Sequence, residues 1–105
     1  MISLADFQKV ELRIGKVQSA KPVEGASKLL QLEVDLGAEQ RRLVAGIAES
    51  YKPEELIGKS IVVVANLEPK KLRGIESQGM LLAAGAEKPV LLTVDEDVPP
   101  GTPVR

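Results

Sequence analysis

Chemistry in this chain has few side chains to run on. The 105 residues include no His and no Cys, and only Phe7 and Tyr51 are aromatic. Lack of His removes the commonest general base and the commonest transition-metal ligand. Lack of Cys removes thiolate nucleophiles, disulfide frameworks and Cys-based zinc sites. What remains is carboxylates and lysines, which argues against a free-standing catalyst and gives no reason to expect a metal or cofactor. Three local patterns fail on inspection. Gly58-Lys59-Ser60 resembles the end of a phosphate-binding loop, but Pro53 stands where the first Gly is required. Asp95, Glu96 and Asp97 start like a calcium loop until Pro100 takes the place of the sharp-turn Gly. Glu54 and Glu55 are sequence neighbours, so on a helix they splay apart.

One stretch survives. "NLEPKKLRGIESQGMLLA", Asn66 to Ala83, lies between two apolar runs and carries three cations. Lys70, Lys71 and Arg73 suit phosphate oxygens, and Gly74 and Gly79 let backbone approach a ligand. Asn66, Ser77 and Gln78 offer donors and acceptors for riboses, phosphates or base edges. Met80 offers a flexible apolar surface. On spacing alone such charges more often belong to a solvated turn, and Met80 is more often core than contact. Arg42 reads either as a groove cation or as a cross-strand partner of Glu33 or Asp35, and the stem of Lys28 can simply cover apolar surface.

The elements around this stretch follow from periodicity. "SLAD" (Ser3 to Asp6) fits a capping box for a short N-terminal helix. "VELRI" alternates, and the apolar phase slips after Gly15, which predicts a bulge there and a long, bent first strand. In "LLQLEVDLG" residues 30, 32, 34 and 36 face inward, and "RRLVAGI" pairs with it as a hairpin. "SYKPEELIGK" gives a short helix with Pro53 at its first position and Gly58 at its end. "IVVVANL" and "MLLAAG" read as strands covered on both faces. "VLLTV" adds a further strand, and "VPPGTPV" is extended. The predicted fold is all-β: a five-stranded, partly open Greek-key barrel of the OB type, one domain over residues 1–105, with a short helix between strands 3 and 4. The apolar surface of "VLLTV" exceeds what five strands need, which predicts a two-fold dimer joined through the tail, Val90 to Val104.

Charge is divided unevenly. The net charge is −1, yet residues 1–86 hold 12 Lys+Arg against 11 Asp+Glu, and the acidic excess sits in residues 87–105. A local basic patch is therefore compatible with a sequence pI of about 5.5. No apolar run reaches the ~18 residues of a membrane span, so a cytoplasmic protein without a membrane partner is expected.

Five segments in order resemble one family: "DFQKVELRIGKV", "EGASKLLQLEVDLG", "RRLVAGIAESYKPEELIGK", "VVVANLEPKKLRGIESQGMLLAA" and "DEDVPPGTPVR". It is the tRNA-binding domain found at the C-terminus of many bacterial methionyl-tRNA synthetases. Stand-alone structure-specific tRNA-binding proteins, an export-related chaperone and an endothelial-monocyte-activating polypeptide share it. The resemblance implies an OB-fold homodimer that holds the outer corner of tRNA without reading its sequence, and a parent methionine-tRNA ligase if the chain is a fragment. Its binding surface falls on Lys28, Arg42, Asn66, Lys70, Lys71, Arg73, Ser77, Gln78 and Met80. "GASK" departs from the commoner "ADK", and Gln40 stands in a turn that often carries a charge. The near-absence of aromatic rings fits a folded RNA held by shape better than a single strand held by stacking.

Overall fold

The computed structural model describes residues 1–105, and its elements run in the order α1 (Leu4–Phe7), β1 (Leu12–Val23), β2 (Ala26–Asp35), β3 (Gln40–Ala45), α2 (Pro53–Leu56), β4 (Ser60–Val64), β5 (Lys70–Leu72), β6 (Ile75–Ser77), β7 (Met80–Leu81), β8 (Ala83–Ala84), β9 (Val90–Leu91) and β10 (Pro103–Val104). The main sheet is antiparallel in the order β3-β2-β1-β4-β7, with β10 added alongside β1. The fold is all-β and OB-like, with α2 between the third and fourth strands as the sequence predicts.

Alternation builds the core. Leu30, Leu32, Val34 and Leu36 are buried on one face of β2 and its extension, and Leu43 and Ala45 of β3 join them. Ile61 and Val63 of β4, Leu56 of α2 and Leu81 of β7 complete the same cluster. Each Leu, Ile or Val among them contributes roughly 1.5–3 kcal/mol when fully buried. Strand β4 is apolar on both faces because Val62 and Val64 are also nearly inaccessible, as their unbroken run predicts.

Strand β1 is long and shared: Leu12 to Lys16 pair with β4, Lys16 to Val23 with β2, and Leu12 and Arg13 with β10. The bulge expected at Gly15 lies further on. Register shifts between Val17 and Ser19, whereas Gly15 pairs regularly with Ile61 and its φ is not positive. Packing is what calls for glycine here: a Cβ would meet Val34 Cγ1 at 2.4 Å and Leu36 Cδ2 at 3.0 Å.

Two apolar runs are more broken than their composition suggests. "MLLAAG" divides into β7, which pairs with β4, and β8, which pairs with β9, and both alanines of β8 are exposed. "VLLTV" keeps only Val90 and Leu91 as strand. Beyond them Leu92 donates its N–H to Leu82 O and the Thr93 hydroxyl donates to Ser60 O. The tail also docks on its own sheet. Arg13 Nη1 donates to Gly101 O at 2.8 Å, and the Gly101 N–H donates to Ile14 O at 2.7 Å. A Cβ on Gly101, whose φ is +89°, would meet Leu36 O at 2.3 Å.

Candidate nucleic-acid interface

The cationic stretch between the two apolar runs contains a hairpin. Strands β5 and β6 pair Lys70 with Ser77, Lys71 with Glu76 and Leu72 with Ile75, leaving Arg73 and Gly74 as a two-residue turn. Their φ values are +53° and +79°. Positive φ at both central residues is the type I′ pattern, whose twist matches that of the flanking strands. Arg73 is the sole non-glycine residue of the chain with positive φ. The tip therefore presents a guanidinium from a backbone conformation that disfavours any side chain of its size.

Lys70, Lys71 and Arg73 are exposed and take part in no ion pair. Lys28 is likewise exposed and unpaired, and it shares with Arg73 a small cleft of about 200 Å³ that includes Gly25 to Leu29. The fold thus brings two free cations, Lys28 and Arg73, to one cleft, while Lys70 and Lys71, consecutive on β5, project from opposite faces of the hairpin. Arg42 differs, because its Nε lies 3.3 Å from Glu33 Oε1 across the β2–β3 ladder.

The polar candidates serve the chain's own backbone. Ser77 is 2% exposed; its hydroxyl accepts from Val44 N–H at 3.0 Å and donates to Gly79 O at 2.8 Å. Gln78 accepts from Arg42 N–H through Oε1 at 3.0 Å, and its own N–H donates to Arg42 O at 2.7 Å. These contacts bridge β3 to the returning chain where the sheet has no ladder. Asn66 accepts from Glu11 N–H at 2.8 Å and donates to Lys9 O at 2.7 Å, which fixes the start of the segment to the residues before β1. Met80 is half-buried against the core cluster.

One residue outside the sequence reading belongs here. Arg41 Nη1 donates to Ala65 O at 2.6 Å and to Gln78 O at 3.0 Å, while its Nη2 pairs with Glu39 at 2.5 Å. Its parity with Leu43 and Ala45, both buried, was the available signal: that face of β3 points inward.

The arrangement can hold a polyanion on its free cations. No set of three or more His, Cys, Asp or Glu side chains converges as round a metal ion. The "Putative tRNA binding domain" family model matches residues 12–103. The chain belongs to this tRNA-binding domain family. It is 61% identical over 104 residues to the methionine-tRNA ligase of Thermotoga maritima, covering 98% of this chain and 16% of that protein. It is 55% identical to the methionine-tRNA ligase of Archaeoglobus fulgidus, covering 98% of this chain and again 16% of the relative. The chain thus spans about a sixth of the length of these relatives. Among solved structures, a MetRS-related protein from Pyrococcus horikoshii superposes with a TM-score of 0.95 at 43% identity, covering 100% of this chain and 98% of that one. The chaperone CsaA from Bacillus anthracis superposes with a TM-score of 0.93 at 35% identity, covering 100% and 99%.

Proposed function

We propose that this chain is a non-catalytic, sequence-independent tRNA-binding and dimerisation module of a cytoplasmic methionine-tRNA ligase. The observation that carries the reading is the hairpin that presents Lys70, Lys71 and Arg73 without ion-pair partners, with Lys28 sharing a cleft with Arg73 at its tip. Cations without a protein partner are free to displace counterions from phosphates, and phosphate contacts hold an RNA without reading its bases. Arg42, Asn66, Ser77, Gln78 and Met80 shape this surface in the proposal, the first four through the hydrogen bonds and ion pair they already make.

The test is tRNA binding at several salt concentrations. Lys70→Ala/Arg73→Ala weakens several different tRNAs by a common factor, about tenfold or more. The slope of log affinity against log salt becomes shallower by about 0.7–0.9 per lost phosphate contact. Unchanged affinity and slope in the double variant would rule the hairpin out as the binding surface.

The proposed dimer is supported by apolar surface that one chain leaves uncovered. Helix α1 buries none of its residues, and Ile2, Leu4, Phe7 and Val10 are exposed, as are Val90 and Leu92 in the tail. Sedimentation across a concentration range checks this; a monomer at every concentration sinks it.

A second reading has its own observation. A depression of about 610 Å³ lined by Pro22, Val23, Leu29, Leu30, Tyr51 and Pro53, among others, could take apolar peptide side chains, as the similarity to a chaperone suggests. Salt-insensitive binding of an unfolded polypeptide that competes with tRNA would favour it.

A further inference from the structure

The hairpin needs a fixed base if its cations are to meet phosphates at set positions. Strand β4 ends at Val64 and β7 begins at Met80, so the intervening residues are a long excursion closed by few main-chain pairs of its own. Residues at the two ends of that excursion, Ala65 and Gln78, both present a carbonyl to one nitrogen, Nη1 of Arg41. The same guanidinium is anchored on its other edge by Glu39. The side chain is 24% exposed, so most of its surface is taken up by the protein.

We infer that Arg41 is a positioning residue for tRNA: by clasping the two ends of the 65–78 segment, it fixes where Lys70 and Arg73 sit. This rests on the tRNA-binding reading of the hairpin and adds a residue that reading does not contain. The physical basis is preorganisation. A loop that is free to swing loses conformational entropy on binding, whereas a clasped loop has lost it already. Arginine suits the task because its planar fork offers several donors at fixed angles. Lysine keeps the charge but supplies a single compact ammonium, which cannot reach Ala65 O, Gln78 O and Glu39 in the same geometry.

Arg41→Lys therefore separates positioning from direct contact. A phosphate contact made by Arg41 itself would be kept in part by the lysine ammonium, and its loss would add to that of the hairpin cations in either background. As a clasp, its loss lowers tRNA affinity by about tenfold although the net charge is unchanged. The effect acts through the hairpin cations, so it nearly disappears when Arg41→Lys is added to Lys70→Ala/Arg73→Ala. Arg41→Gln, which keeps a donor and no charge, is the companion variant and shows the same coupling. Amide hydrogen exchange supplies the second readout: residues 68–76 lose protection while β2 keeps it.

Wild-type affinity in Arg41→Lys overturns the inference. Equal losses in both backgrounds overturn it too, and so does protection lost throughout the sheet, which makes Arg41 a residue of the fold alone. Normal tRNA binding by Lys70→Ala/Arg73→Ala is a different failure. It removes the tRNA reading of the hairpin itself, and with it any role for Arg41 through those cations.

Discussion

The base and the tip of the 66–79 segment treat polar side chains in opposite ways. At the base, Asn66, Ser77, Gln78 and Arg41 spend their hydrogen bonds on the protein's own backbone. At the tip, Lys70, Lys71 and Arg73 are exposed and pair with nothing. The base resembles a core in which hydrogen bonds replace apolar contact, and the tip resembles an unfilled binding site. A site of this kind gains from both. Closure at the base fixes where the hairpin starts, and the cations beyond it, which make no ion pair, leave charge for a ligand.

The comparison fixes the order of mutational effects, and the largest belongs to the base. Ser77→Ala removes the acceptor for Val44 N–H and the donor to Gly79 O in a site that is 2% exposed. Buried groups left without partners cost about 1–3 kcal/mol each, so the variant loses roughly 2–6 kcal/mol of stability. For a domain of this size that lowers Tm by about 4–8 °C per kcal/mol. Binding by the folded fraction keeps its salt slope, since no charge is removed. An unchanged Tm would break the distinction between base and tip. In the sequence Ser77 reads as a donor and acceptor offered to a ligand, but in the fold its hydroxyl is spent on Val44 and Gly79. It is buried, and the sheet is bridged through it.

The double variant Lys70→Ala/Arg73→Ala comes next and has the opposite profile. Its affinity falls, yet its Tm stays within about 0.5 kcal/mol of equivalent stability, as exposed substitutions away from packed features do. A Tm loss as large as that of Ser77→Ala would show that the tip also holds the fold together.

Much of this was legible in the chain, for identifiable reasons. Leu30, Leu32, Val34 and Leu36 announce their inward face because a strand has period two and water penalises the alternative. Pro53 and Gly58 mark the ends of α2 through backbone restrictions that hold in any fold. The cations at 70, 71 and 73 are visible as charge. Hidden from the sequence was whether a polar side chain answers a ligand or its own backbone. Asn66 and Ser77 have the right groups for either, and their partners at Glu11 and Val44 are 55 and 33 residues away. Gly15 was misread for the same reason. A glycine chosen for positive φ and one chosen because Val34 fills the space of its Cβ look identical in one dimension.

The smallest effect is the most specific, and it lies in one dihedral angle. Arg73 holds φ at +53° beside Gly74 at +79°, the geometry for which Asn-Gly is the favoured pair. A left-handed conformation costs an ordinary side chain about 1–2 kcal/mol, and asparagine recovers part of that through local hydrogen bonding. Arg73→Asn is therefore expected to stabilise the chain by about 0.5–1 kcal/mol, raising Tm by a few degrees. It also removes a cation, so tRNA affinity falls and the salt slope becomes shallower by about 0.7–0.9. Greater stability with weaker binding is the signature of a residue kept for its ligand against the preference of its own turn. A lower Tm would mean that Arg73 stabilises the hairpin by contacts of its own. Unchanged affinity would mean that the guanidinium at the tip meets no phosphate, and Lys28 and Lys70 would then have to hold the RNA without it.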